Sequence, residues 1–284
     1  FGEALPFDAI LQNEDPSTYH NQYAEDWAQL NKEAVEEVGL EDEIVFFSRS
    51  GYTQSPKQST LFWLGDQLVD WGENDGIKSA VTGLSSSGMS GFTYMHTDIG
   101  GYTSFNVGIG PVITRSKELL ERWTQLNAFT VVFRTHEGLG PTANHQFYDD
   151  DESVKHFAKW SKIFQSWFFY RKQLVEEAAT TGVSVVRHPF IHYPEDENVY
   201  DITYQQFMLG DQFMVAPVTE KGAIETDIYL PEGEWVNLWD GNEINSNGAW
   251  YSIADLEDKP AVFYVKGSAV AAEFIQNMID AGVY

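Results

Sequence analysis

The chain has 284 residues, 43% hydrophobic and 15% aromatic, enough to bury a large core and to form one big domain with a smaller one beside it. Its net charge of −26, with only 17 Lys and Arg, excludes a face built for nucleic-acid phosphates and argues against an anionic membrane as partner. Zero cysteines exclude disulfides and thiolate metal sites, and no apolar run is long enough to span a bilayer.

Apolar residues at helical spacing (Trp27, Leu30, Ala34, Val35 and Val38) predict a helix over residues 23–38, which Gly39 ends. A strand follows over 45–48, leading straight into Arg49. After a loop holding Gly51 and Pro56 comes Leu61-Phe-Trp-Leu-Gly-Asp-Gln67, an apolar run closed by Gly65, so the Asp66 carboxylate sits where a buried strand meets its loop. A helix over 75–87 carries small residues that permit close packing. The strand over 92–95 opens into the turn His96-Thr-Asp-Ile-Gly-Gly-Tyr102. Next is a helix over 114–127, capped by Thr114 with Lys117 or Glu118 in its first turn. Val131-Val-Phe-Arg-Thr-His-Glu137 is another apolar segment with a polar ending. Residues 153–181 form a long apolar-aromatic helical stretch, broken once and closed by Gly182, and 183–186 reads as the last buried strand.

Strand, loop and helix repeated in this way predict βα units and a parallel sheet. A complete eight-fold barrel needs roughly 200 residues or more by itself. Residues 1–205 therefore read as the C-terminal half of a (β/α)8 TIM barrel. From about Gln206 the pattern changes to short strands separated by Gly, Pro and Asn turns, the signature of an all-β sandwich over 206–284. The fold class is α/β, half a barrel followed by a β-sandwich domain. A lone Asp after a strand is more often a turn former. Here, however, four apolar segments in series each end in groups able to hold a sugar, at the strand ends where barrels keep their chemistry. Nine Trp and fourteen Tyr also suit carbohydrate, although most of such rings belong to the core.

The motifs Trp63-Leu-Gly-Asp-Gln67, His96-Thr-Asp-Ile-Gly-Gly-Tyr102 and Arg134-Thr-His-Glu-Gly138 resemble glycoside hydrolase family 31. So do Gly210-Asp-Gln-Phe-Met-Val-Ala-Pro217 and Leu230-Pro-x-Gly-x-Trp-x-x-Leu-Trp-Asp240, and the resemblance runs nearly end to end. Gly65-Asp-Gln67 in place of the commoner Gly-Asp-Asn is similar to the sulfoquinovosidase branch, as are Gly101-Tyr-Thr-Ser104, Arg134-Thr-His-Glu-Gly138 and Asn144-x-Gln-Phe147. Enzymes of that branch release sulfoquinovose, a 6-sulfonated glucose, from α-glycosides derived from the plant and algal sulfolipid.

The resemblance implies a retaining α-glycosidase with two carboxyl groups, one attacking the anomeric carbon and the other protonating the leaving oxygen. Asp66 matches the acid/base residue, and for that role burial and a nearby negative nucleophile should raise its pKa. The nucleophilic Asp would stand just ahead of Phe1, outside the sequence, with Glu3 organising the loop. Arg49 matches the arginine that holds sugar and carboxylates in register, and His136 the histidine that hydrogen-bonds ring hydroxyls. Trp63 resembles the pocket wall, and Tyr102 a tyrosine that helps bind the sulfonate through water. His96 and Asp98 brace the turn.

Two departures stand out. About five residues are inserted within 104–113, and the upstream Arg and Trp that grip the sulfonate would also precede Phe1. No metal or organic cofactor is implied, since His96, His136, His145 and Asp98 lack ligand spacing. The expected partner is a small-molecule carbohydrate. The family often forms oligomers, and a partner chain supplying the rest of the barrel is a further expectation. The alternatives are an α-glucosidase or α-xylosidase of the same family, or a non-catalytic carbohydrate-binding subunit.

Overall fold

The computed structural model describes residues 5–12, 14–105 and 112–284. The first helix, α1 (Pro16–Val38), starts earlier than its apolar spacing predicts, because Asp15 supplies the start signal. Its carboxylate accepts from Ser17 N at 2.9 Å, and Pro16 sits where a missing N–H costs nothing. Gly39, at φ 70°, ends the helix in the left-handed conformation.

Three short strands follow: β1 (Phe47–Ser48), β2 (Leu61–Trp63) and β3 (Tyr94–His96). Between them lie α2 (Ser55–Gln58), a single turn around Pro56, and α3 (Ile77–Met89). The strands pair in parallel, Phe47 opposite Leu61 and Leu61 opposite Tyr94, giving the order β1-β2-β3. The segment after residue 131 continues the series through one parallel bridge, Ile99 to Thr135, rather than as a full strand.

The next helix, α4 (Lys117–Asn127), is capped by Ser116, whose Oγ accepts from Leu119 N at 3.2 Å, and not by Thr114. Arg115 explains the shift. Its backbone N–H is held by Asn144 Oδ1 at 3.0 Å, which keeps this stretch out of the helix. The long helical stretch is two helices, α5 (Asp151–Ser166) and α6 (Phe168–Thr181). They break at buried Trp167, whose Nε1 donates to Ala128 O at 2.8 Å.

The strand expected to end the parallel series, over 183–186, is β4 (Val186–Arg187), and it pairs antiparallel with β5 (Phe207–Leu209). It thereby joins a six-stranded sheet with β6 (Phe213–Ala216), β8 (Gly233–Asn237), β9 (Glu243–Ser246) and β11 (Ala261–Val265), in the order β4-β5-β6-β11-β8-β9. A second, two-stranded antiparallel sheet is made by β7 (Thr226–Leu230) and β10 (Ala249–Ile253). The molecule is thus a partial barrel followed by an antiparallel β domain. A final helix, α7 (Ala269–Asp280), was not anticipated from the sequence, although Ala271, Phe274 and Met278 lie on its buried side.

One aromatic core joins the two parts. Phe129, Trp160, Trp239 and Phe274 meet edge to face at 5.9–6.4 Å, linking α5 and the loop after α4 to the β domain and α7. Each such pair contributes about 0.5–1.5 kcal/mol beyond its buried area. Met208, Met214, Ile228, Leu230, Trp235 and Phe263 form a second cluster inside the β domain. No helix among the described residues is long and apolar enough to cross a membrane.

Helix α3 packs closely on the chain just before β4. A Cβ on Gly88 would fall within clash distance of Ser184 Oγ and 3.0 Å from Val186 O. Ala is ordinarily better than Gly inside a helix by about 0.5–1 kcal/mol. Here the contact reverses the sign, and Gly88→Ala should lower stability by about 1–3 kcal/mol, as overpacking does. Chemical denaturation reads this directly, and a stabilised variant would show that α3 is free to move off residues 184–186.

Candidate active site

Because β1 and β2 run in parallel, the residues that follow them emerge at the same end. Gly65, at φ 88°, turns the chain directly after β2 and passes close to Arg49 Cδ, so Asp66 is delivered beside Arg49. Arg49 Nη1 and Asp66 Oδ1 are 2.7 Å apart. The Arg49 guanidinium also stands over the Trp63 ring, 5.4 Å from its centroid. Asp66 was expected to be buried, but its side chain is 40% exposed and its close neighbour is a cation.

The loop carrying Asp66 is tied to the turn after β3. Thr103 Oγ1 donates to Asp66 O at 2.6 Å, and the N–H groups of Tyr102 and Thr103 both donate to Gln67 O at 2.8 Å. The Gln67 side chain is buried, donating to Ser79 Oγ at 2.7 Å and accepting from Thr97 Oγ1. The Gln of the Gly65-Asp-Gln67 motif therefore ties α3 and the glycine-rich turn to the loop that carries Asp66.

Tyr102 and His136 meet edge to face at 4.6 Å. His136 Nδ1 accepts from Gly138 N at 3.1 Å, so its proton resides on Nε2, which is a donor for an incoming oxygen. Burial first, then the charges of Arg134 and Arg115, lower its pKa and keep it neutral. The structure thus places the five predicted residues in two contacting groups, Arg49 with Trp63 and Asp66, and Tyr102 with His136, on loops tied together through Gln67 and Thr103. Glu3 and most of the insertion within 104–113 lie outside the described residues.

Two arginines given no role from sequence organise this surface. Arg115 is buried and spends its guanidinium on neutral acceptors: His136 O at 2.7 Å, Gln146 Oε1 at 2.7 Å, His145 O at 2.9 Å and Gly101 O at 3.2 Å. It thereby clamps the backbone on both sides of the Tyr102–His136 contact. Burial pushes its pKa down to about 10, leaving it charged at neutral pH. Arg134 is ion-paired with fully buried Asp98 and lies over the rings of Phe47 and Trp63 at 5.2 and 5.8 Å. Arg134 lay inside a recognised motif, whereas Arg115 gave no signal beyond being a cation before a helix.

Asp98 and His96 brace the turn, as expected. Burial drives Asp98 up to about 6, against the opposing pull of Arg134. The Trp63 indole N–H lies toward Asp98 and lowers its pKa, although neither Trp63 Nε1 nor Asp98 Oδ2 makes a hydrogen bond of good geometry among the described residues. His96 is pushed down to about 4 by burial and by Arg134, and its Nδ1 lies 3.0 Å from Phe62 O. No group of three or more metal-ligating side chains occurs among the described residues.

An acid, two cations, a neutral imidazole and aromatic rings are thus gathered at the ends of the parallel strands. Comparison with known proteins gives this arrangement a family. Residues 6–181 match the glycosyl hydrolases family 31 TIM-barrel domain and residues 182–270 the glycosyl hydrolase family 31 C-terminal domain. The chain belongs to glycoside hydrolase family 31. It is 42% identical over 275 residues to a sulfoquinovosidase of Escherichia coli K12 and 40% identical over 266 residues to one of Agrobacterium fabrum. Those alignments cover 96% and 93% of this chain but 39% of each relative, so the chain spans about two-fifths of their length. A solved family 31 sulfoquinovosidase from E. rectale, in complex with the aza-sugar inhibitor IFGSQ, superposes with a TM-score of 0.90 at 39% identity. It covers 99% of this chain and 41% of that one. An α-glucosidase of Bacillus thermoamyloliquefaciens is 28% identical over 90% of the chain and 31% of that relative.

The titrations of Asp98 and His96 oppose each other. Folded Asp98 keeps its proton to about pH 6 whereas the unfolded chain loses it near 3.8, so its contribution is present at low pH and is lost as pH rises from about 4 to 6. Folded His96 refuses a proton until about pH 4 whereas the unfolded chain takes one near 6.5, so its contribution is lost as pH falls through that window. Asp98→Asn removes the first effect alone. Its stability should therefore climb more steeply from pH 4 to 6 than that of the unaltered protein, by up to about 1.4 kcal/mol per pH unit. Urea unfolding across that range checks this, and parallel slopes would contradict it.

Proposed function

We propose that this chain carries the acid/base side of the active site of a retaining α-glycoside hydrolase whose substrates are α-sulfoquinovosides. The observation that supports the reading is the Arg49–Asp66 pair at the end of β2, Nη1 to Oδ1 at 2.7 Å, near enough to His136 for the Asp66 charge to act on it. The sulfoquinovosidase relatives at 42% and 40% identity support the choice of sugar over the neutral glucosides suggested by the 28% relative.

In this mechanism Asp66 gives its proton to the glycosidic oxygen as the bond to the anomeric carbon breaks. A carboxylate from the segment preceding Phe1 attacks that carbon and forms a covalent glycosyl-enzyme. Asp66, now ionised, then takes a proton from water, which attacks the anomeric carbon and releases the sugar with net retention. The Arg49 guanidinium, in contact with Asp66 Oδ1, fixes its orientation. His136 offers Nε2–H to ring hydroxyls, Trp63 forms the wall of the sugar pocket, and Tyr102 approaches the sulfonate through water.

The test uses the polypeptide together with the segment that precedes Phe1. Asp66→Asn should lower turnover of an alkyl α-sulfoquinovoside by about 10²–10⁴-fold. An aryl glycoside with a good leaving group should suffer far less in the glycosylation step, because it needs little protonation. Equal losses on both substrates would remove Asp66 from the acid role. Arg49→Lys should also be costly, since a point charge does not replace a planar fork; turnover unchanged in that variant would show that the pair with Asp66 has no part in the chemistry.

A further inference from the structure

Arg134 is held in an uncommon way for a partly exposed arginine. Its Nη1 donates to Asp98 Oδ1, on a side chain with 0% exposure, and lies 3.5 Å from His96 Nε2. His96 Nδ1 faces Phe62 O at 3.0 Å and so carries the ring proton, leaving Nε2 as an acceptor for Arg134. Both hydrogens of Nη1 are thereby committed to buried partners. The guanidinium is further fixed by the faces of Phe47 and Trp63, from two different strands. Nε and Nη2 make no hydrogen bond among the described residues, and about a third of the side chain, 32%, is open to solvent. A cation anchored by one corner, with the adjoining edge left to donate, is a preorganised fork for two oxygens of one anion.

We propose that Arg134 is an oxyanion-binding group of this pocket, its Nε–Nη2 edge taking a pair of anionic oxygens while Asp98 and His96 hold it in place. The proposal rests on the glycosidase reading above. Two sources share that chemistry: the attacking carboxylate of the enzyme and the sulfonate of the sugar. The titratable and charged groups around Arg134 are Asp98 and His96, which touch it, together with Arg49 across Trp63, and Asp66, His136 and Arg115 nearby. Within this set Asp98 is already matched to Arg134, and Asp66 lies against Arg49.

The experiment compares Arg134→Gln, Arg134→Lys and the unaltered polypeptide, each with the segment preceding Phe1. The readouts are pH profiles of kcat/KM for aryl α-sulfoquinovoside and aryl α-glucoside. If the edge holds the enzyme's carboxylate, loss of the cation raises the pKa of the acidic limb by at least about one unit on both substrates. The double variant with Asp98→Asn must keep that shift, since Asp98 also titrates in this region. If the edge holds the sulfonate, the limb stays put and the preference for the sulfonated sugar falls by at least about 10-fold, mostly through KM. Partial recovery in Arg134→Lys supports either source, because a point charge retains part of the attraction. An acidic limb and a sugar preference both unmoved in folded Arg134→Gln would overturn the proposal. Absence of α-glycosidase activity in the unaltered polypeptide would instead overturn the glycosidase reading.

Discussion

The parallel register of β1, β2 and β3 is the constraint on which the site depends. Phe47 faces Leu61, Leu61 faces Tyr94 and Trp63 faces His96, so every residue following a strand is delivered to the same end. Asp66 meets Arg49 only because both leave neighbouring strands there and because Gly65 permits an immediate turn at φ 88°. Turning the sheet over by one residue would exchange the inward and outward faces and separate the pair. The bridge from Ile99 to Thr135 extends the same logic to the segment that carries Arg134 and His136.

Charge is distributed to serve that end. The chain is acidic by 26 charges, yet three of its 17 cations, Arg49, Arg115 and Arg134, are gathered around one turn. The surface acids act on an approaching anion only within about a Debye length, roughly 8–10 Å in physiological salt. At contact distance the arginines dominate. Each is fixed differently: Arg49 by a carboxylate, Arg115 by carbonyl oxygens, and Arg134 by a buried acid and two aromatic faces. Orienting these groups in the folded chain before any ligand arrives reduces the cost of ordering them on binding.

Much of this was legible in the sequence because it rests on local signals. Apolar runs ending in Gly and charged residues located β2 and its Asp66, and the spacing of Trp27, Leu30, Ala34 and Val35 located α1. Part of what escaped is pairing or capping decided at a distance, whereas the start of α1 at Asp15 and the helix α7 rest on local signals that were passed over. Ser116 rather than Thr114 caps α4 because Asn144, far along the chain, holds the Arg115 backbone. A strand near Val186 was foreseen, but its antiparallel partner Leu209 was not, since a short apolar run looks the same in either sheet. The five candidate site residues were proposed through the family resemblance, whereas Arg115 works largely through backbone carbonyls that carry no side-chain pattern. The exposure of Asp66 also differs from expectation, because strand-end carboxylates are read from position and burial depends on what packs over them.

The most direct measurement is the ratio of kcat/KM for aryl α-sulfoquinovoside to that for aryl α-glucoside, made on the polypeptide that includes the segment preceding Phe1. The proposed sulfoquinovoside assignment predicts a preference for the sulfonated sugar of at least about 100-fold, since a site that hydrogen-bonds a sulfonate is left with unpaired donors by a hydroxyl. A ratio near one, or a preference for the glucoside, would contradict the sulfoquinovoside assignment.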